Sequence, residues 1–230
     1  MPPPERPAAR DDAGSGETSH DKRSVDRDRF VARAYGLDGV DEALALYDEW
    51  AENYDSHMVG ELGYVAPVLA PQRLMAHLDD RLAPVLDIGC GTGLNSVPLA
   101  AAGLRAIDGI DITAAMIERA RDRGIYRNLI MADLMQPLPF ADAAYGGAVS
   151  SGTFTHGHVG PEPLGEIARV LRPGGVLACS IHQEIWETEG FRAAFDDLEK
   201  RGMMARVELA RDVLFKDQDP VGLYAVYRRC

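Results

Sequence analysis

Between Val85 and Gly93 an apolar run meets an acid and three glycines, Val-Leu-Asp-Ile-Gly-Cys-Gly-Thr-Gly, and helix formers follow. That order reads as a buried strand turning into a helix, with Gly89, Gly91 and Gly93 bringing bare backbone up to a ligand. Dinucleotide enzymes hold a pyrophosphate at such a turn, but Asp87 at the strand end would repel one. A carboxylate there suits a cation. S-adenosylmethionine, which carries an ammonium and a sulfonium, fits. Asp111 lies 24 residues after Asp87, at the end of a second apolar run, where an acid can accept from both hydroxyls of a ribose. Asp133 follows a third run and is placed to accept from an adenine amino group. Each acid alone reads equally as a cap or turn residue. Acids closing three successive strands beside a glycine loop point to an adenosyl ligand.

His156 and His158 follow a fourth apolar run and fall at the same edge. Imidazole titrates near pH 6.5 when unperturbed, so both are candidate catalytic bases or acceptor contacts. The plainer reading is loop histidines bonded to backbone. Their His-x-His spacing also matches metal ligation, but no carboxylate or third ligand adjoins them in the chain, and no metal is expected. His57 is a lesser candidate, and His20, His77 and His182 suggest no role.

The positioning elements alternate. Val85–Ile88 reads as a strand and Leu94–Ala102 as a helix ended by Gly103. Arg105–Ile110 is a second strand, and Thr113 caps a helix through Arg123. Leu129–Met131, Tyr145–Ser150 and Val176–Ile181 complete a set of five strands, with a helix over Pro163–Leu171. This alternation predicts an α/β fold, a parallel sheet with helices on both faces. After a helix near Phe191–Arg201, the runs Ala205–Phe215 and Val221–Arg228 read as an antiparallel C-terminal hairpin, giving a Rossmann-like seven-stranded sheet. Upstream, Leu44, Tyr47, Ala51 and Tyr54 recur at helical spacing beside Trp50, whereas Pro67 and Pro71 interrupt any long helix and leave a short one over Gln72–Leu82. The expected division is a disordered tail over 1–28, a helical lid over 29–82 and a cofactor-binding core over 83–230.

The formal net charge of −12 argues against a nucleic-acid substrate. Asp41 to Gln72 holds seven acids and no Lys or Arg, either a solvated helix face or an acidic cap selecting a cationic substrate. No apolar run approaches the roughly 20 residues that span a bilayer, the N-terminus lacks a secretory pattern, and Cys90, Cys179 and Cys230 show no metal spacing. A cytoplasmic monomer or homodimer is expected.

Val85–Gly93 resembles the first motif of class I S-adenosylmethionine-dependent methyltransferases. Gly109-Ile110-Asp111-Ile112-Thr113, Ala132-Asp133-Leu134 and Arg169-Val170-Leu171-Arg172-Pro173-Gly174-Gly175 match the later motifs in order and spacing. Tyr47–Asp55 and Gly152–Val159 are similar to the methyltransferase-like proteins of the Williams–Beuren syndrome region. The resemblance implies that Gly89 and Gly91 pass the methionine part of the cofactor, with Cys90 and Gly93 in the same loop and Asp87 near its ammonium. It implies Asp111 on the ribose, Ile112 and Met116 on the adenine, and Asp133 with the Leu134 backbone on the adenine edge. It puts the Ser150 backbone against the methionine, and Tyr54, with Tyr47 and Trp50, in the lid. Many members carry an acid after the aromatic that opens the fourth strand, whereas Gly146 follows Tyr145 here.

The implied activity is methyl transfer to a small-molecule acceptor. The alternatives are a non-catalytic S-adenosylmethionine-binding protein and, against the grain of Asp87 and Gly-x-Gly-x-Gly, an NAD-dependent oxidoreductase.

Overall fold

A computed structural model describes residues 28–230. The tail expected over 1–28 lies, apart from Asp28, outside the described residues, as does His20.

Seven strands form one sheet: β1 (Val85–Ile88), β2 (Ile107–Asp111), β3 (Asn128–Met131), β4 (Tyr145–Phe154), β5 (Leu171–His182), β6 (Met204–Asp212) and β7 (Gly222–Arg229). Their order is β3-β2-β1-β4-β5-β7-β6. The first five strands run parallel, and β7 pairs antiparallel with both β5 and β6. The C-terminal hairpin therefore inserts its second strand against the parallel set. The chain builds outward from β1 to β3 and then returns to lay β4 on the other side of β1. That reversal opens a crevice at the carboxyl ends of β1 and β4, the place where open α/β sheets bind ligands.

Period-two alternation divides the core between the two faces of the sheet. Leu86, Ile88, Leu177, Cys179, Ala225 and Tyr227 pack with the helices α6 (Leu164–Val170), α7 (Gln183–Thr188) and α8 (Phe191–Lys200). Val85, Val149, Val176, Ala178, Tyr224 and Val226 face the other way, toward α1 (Arg29–Tyr35), α2 (Val40–Trp50), α3 (Ala66–His77) and α4 (Ser96–Ala101). The helix α5 (Ala114–Asp122) covers β2 and β3.

Prolines do not break α3. Pro67 sits in its first turn, where the missing N–H has no helical partner. Pro71 forfeits one bond, but Ala66, Ala70 and Leu74 are fully buried and the helix packs on β4 and β5. Tertiary packing outweighs the local penalty. Gly146 also has a packing reason, since a Cβ there would stand 2.4 Å from that of Ala83. No helix among the described residues is long and apolar enough to cross a membrane.

Candidate active site

The loop after β1 takes the backbone conformation its glycines allow. Gly89, Gly91 and Gly93 have φ of 60°, 52° and 89°, in the left-handed region that side chains resist. The three do different things. A Cβ on Gly89 would lie 2.2 Å from Thr153 Oγ1, and one on Gly93 would meet the Tyr126 ring at 2.9 Å. A Cβ on Gly91 would meet nothing within 4 Å, because Gly91 faces open space.

That space is a cavity of about 220 Å³ at the crevice between β1 and β4. Of the residues the sequence nominated, Tyr54, Gly89, Gly91, Asp111, Ile112, Met116, Asp133, Leu134 and His158 line it. Asp111 ends β2, and its carboxylate accepts from the N–H of Gly91 (2.8 Å) and of Thr113 (2.9 Å). Burial pushes its pKa up against those two bonds. Asp133 accepts from the Met135 N–H at 2.8 Å. The donor set suits an adenosyl group: an acid for hydroxyls, Ile112 and Met116 for an apolar ring, a second acid at the far edge, and bare backbone at Gly91.

Other nominees stand behind the wall. Asp87 is fully buried and accepts from Asn95 Nδ2 (2.8 Å) and the Tyr126 hydroxyl (2.7 Å). Burial is the main cause raising its pKa to about 7, with the Asp111 charge adding to it and both hydrogen bonds opposing. It reaches the wall through a relay, because Ser151 Oγ donates to Asn95 Oδ1 at 2.7 Å and Ser151 lines the cavity. The Cys90 thiol packs on Ile117 and Ala120. The wall from β4 is Ser151, Gly152 and Thr153, not Ser150, whose hydroxyl donates to the Ile88 carbonyl at 2.9 Å. A register shift between Ser150 and Phe154 turns the strand there, with Gly152 at φ 79°.

A second, aromatic chamber of about 50 Å³ adjoins the first and shares Tyr47, Tyr54, Gly152 and His158 with it. Trp50, Tyr64 and Phe215 are among its walls. His182, which suggests no role in the sequence, lines it, whereas His156 stands outside. The Thr155 hydroxyl on its wall is buried without a hydrogen-bond partner. The tautomer of His158 follows from its neighbours. Nδ1 meets the His156 carbonyl at 2.7 Å and must donate, so Nε2 accepts from the Tyr47 hydroxyl at 2.6 Å. Burial lowers the His158 pKa, and burial together with the Asp111 charge holds the Tyr47 phenol far above its ordinary value. At neutral pH the pair is an uncharged imidazole and a protonated phenol.

Helix α2 roofs both spaces, and α1 closes the aromatic chamber beside it. His57 takes a structural part, accepting from Trp50 Nε1 at 3.0 Å and donating to Asp28 at 2.9 Å. Asp55 ties the roof to the glycine loop, accepting from Thr92 Oγ1 and pairing with Arg123. The other six acids between Asp41 and Gln72 are exposed, so that stretch is a solvated face.

The family described as "Methyltransferase domain" matches residues 86–179. Methyltransferase-like protein 27 of Homo sapiens is 32% identical over 179 residues, covering 75% of this chain and 72% of the relative. The O-methyltransferase rstn1 of Aspergillus nomiae is 37% identical over 121 residues, 48% of this chain and 53% of that protein. A solved S-adenosylmethionine-dependent methyltransferase from Mesorhizobium loti superposes with a TM-score of 0.53 at 18% identity, over 69% of this chain and 96% of its own, a likeness of fold. With the glycine loop, the acid-closed strands and the sheet order already in place, the chain belongs to the class I S-adenosylmethionine-dependent methyltransferases, in the group that contains methyltransferase-like protein 27.

Proposed function

We propose that the protein methylates a hydroxyl group on a small, flat, largely apolar acceptor held in the aromatic chamber. The observation that carries this reading is the junction of the two spaces. Tyr47, Tyr54, Gly152 and His158 belong to both walls, and His158 presents its lone pair there. When bound, S-adenosylmethionine supplies a methyl group on a sulfonium, which departs as a neutral thioether and needs no further activation. The chain has to align, dry and deprotonate. Alignment in a closed site accounts for about 7–11 kcal/mol of such barriers.

Asp111 would hold the ribose, Ile112 and Met116 the adenine, and Asp133 with the Leu134 backbone its edge. Asp87, through Asn95 and Ser151, would set the charge felt by the methionine ammonium. The acceptor hydroxyl would displace Tyr47 from His158 Nε2, and the imidazole would take its proton while Nδ1–H stays on the His156 carbonyl. The unpartnered Thr155 hydroxyl offers a second polar contact. The chamber, about 50 Å³, holds only a few waters. Helices α1 and α2 would therefore act as a lid that lifts to admit the acceptor.

The net charge of −12 favours a small molecule over nucleic acid, and the relatives include O-methyltransferases. A relative that acts on 18S rRNA covers only 31% of this chain.

The test is methyl-labelled donor with three acceptor sets: small phenols and alcohols, matched amines, and total RNA. Labelled ether from the first set is expected. Label confined to RNA or amines would contradict the reading, and label in nothing would leave a donor-binding protein. His158→Ala should cut kcat by about 10²–10⁴-fold while donor affinity stays within twofold.

A further inference from the structure

We propose that His156, His182 and Glu184 form a divalent-cation site of the zinc type on the outer side of the acceptor chamber. Three elements bring them together: the loop after β4, the end of β5 and the first turn of α7. His156 Nε2 lies 3.2 Å from His182 Nδ1 and 3.5 Å from Glu184 Oε2. All three donor atoms fall within 4.8 Å of one another. Zinc binds imidazole nitrogen at about 2.0–2.1 Å and carboxylate oxygen at about 2.0–2.2 Å. Two such donors on one ion, at angles between square and tetrahedral, stand about 3.0–3.4 Å apart. The two separations from His156 Nε2 are close to those of donors sharing an ion, and the third pair lies within 4.8 Å.

Two ring nitrogens facing each other at this distance need something between them, a proton or a cation. The Glu184 backbone N–H points at His182 Nδ1 from 3.4 Å. It marks Nδ1 as the unprotonated nitrogen, whose lone pair faces His156 Nε2. The Tyr35 ring packs against both imidazoles, with centroids 5.5 and 5.9 Å away, and fixes their planes. The Glu184 side chain is 69% exposed, so it can swing toward the two imidazoles, and it gives the ion a path from solvent. Two imidazoles and a carboxylate suit zinc better than magnesium or calcium, which prefer all-oxygen sets.

The sequence offered the His-x-His pair without a third ligand, and the fold chooses differently. His158 is committed to Tyr47 and to a carbonyl, and His156 finds its partners across the sheet edge. Three protein ligands leave a fourth position open. Because His182 lines the chamber, that position adjoins the acceptor. This placement rests on the reading above, whereas binding of the ion does not.

Titrating zinc into the full chain by calorimetry, with the visible absorption of cobalt(II) as a reporter of the ligand set, tests the site. One equivalent should bind. His156→Ala should abolish that binding and Glu184→Gln weaken it at least tenfold, both keeping the wild-type thermal midpoint, while Cys230→Ser, which removes the exposed thiol, should change nothing. Absence of stoichiometric binding, or equal binding in the His156→Ala and Glu184→Gln variants, overturns the proposal and leaves a proton shared between the rings. Zinc bound by a protein that turns over no hydroxyl acceptor would sustain the site and remove the acceptor reading. Turnover without zinc binding would do the opposite.

Discussion

Among single residues, the acids of β1 and β2 stand in different places. Asp111 faces the cavity and already spends one lone pair of each oxygen on backbone N–H groups, which aims the others outward. Hydrogen bonds to a charged group contribute about 1.5–3 kcal/mol, so Asp111→Ala should weaken donor binding at least tenfold by calorimetry; near-native affinity would mean the ribose is held elsewhere. Asp87 works from behind the wall, and its pKa near 7 gives it a pH signature. A donor ammonium favours the carboxylate, so binding releases a proton. Affinity should rise with pH through about 7 and level off above, and calorimetry in buffers of different ionisation enthalpy should detect the proton. A flat profile across that window would detach Asp87 from the donor. Both acids were legible because they close apolar runs. The burial that sets one behind the wall and the other on it was not, because it depends on Asn95 and Tyr126 arriving from other elements.

At the level of elements, the glycine loop makes a contrast between two substitutions. Gly89→Ala places a methyl 2.2 Å from Thr153 Oγ1 at φ 60°, so clash adds to the left-handed penalty of about 1–2 kcal/mol and the fold should lose stability. Gly91→Ala meets open space at φ 52°, so it should cost the fold only that penalty while its methyl obstructs the cavity and donor binding falls. Thermal unfolding with and without donor separates the cases, and equal stability loss in both would refute the division. The roof behaves as another unit. Asp55→Ala unties it from Thr92 and Arg123, and hydrogen exchange over residues 51–62 should quicken while the strands stay protected. Strands β1, β2 and β3 were readable from apolar runs bounded by glycine and acid. The bend in β4 was not, since Ser150-Ser151-Gly152-Thr153 carries no period that tells inward from outward. The helix α3 was misread at Pro67 and Pro71 because its face against β4 and β5 is a tertiary fact.

For the molecule as a whole, the site is held at a cost in stability. Asp87 has a folded pKa raised above its unfolded value near 3.9. Its proton stabilises the fold below pH 4, and that contribution, of the order of a few kcal/mol, is lost as pH rises toward 7. The donor-free protein should therefore lose thermal stability between about pH 5 and pH 7.5. Asp87→Asn should reduce that slope, leaving the smaller share of Asp111, and stabilise the donor-free protein at pH 8 while weakening the donor. An unchanged slope in the variant would place the titration elsewhere.

The sheet order brings two spaces together at one crevice, where donor and acceptor would meet. A crystal structure with S-adenosylhomocysteine measures this most directly. The ribose hydroxyls should lie on the Asp111 carboxylate and the sulfur should face the junction of Tyr47, Tyr54, Gly152 and His158. A ligand whose sulfur points away from that junction, or that binds outside the crevice between β1 and β4, would contradict the account.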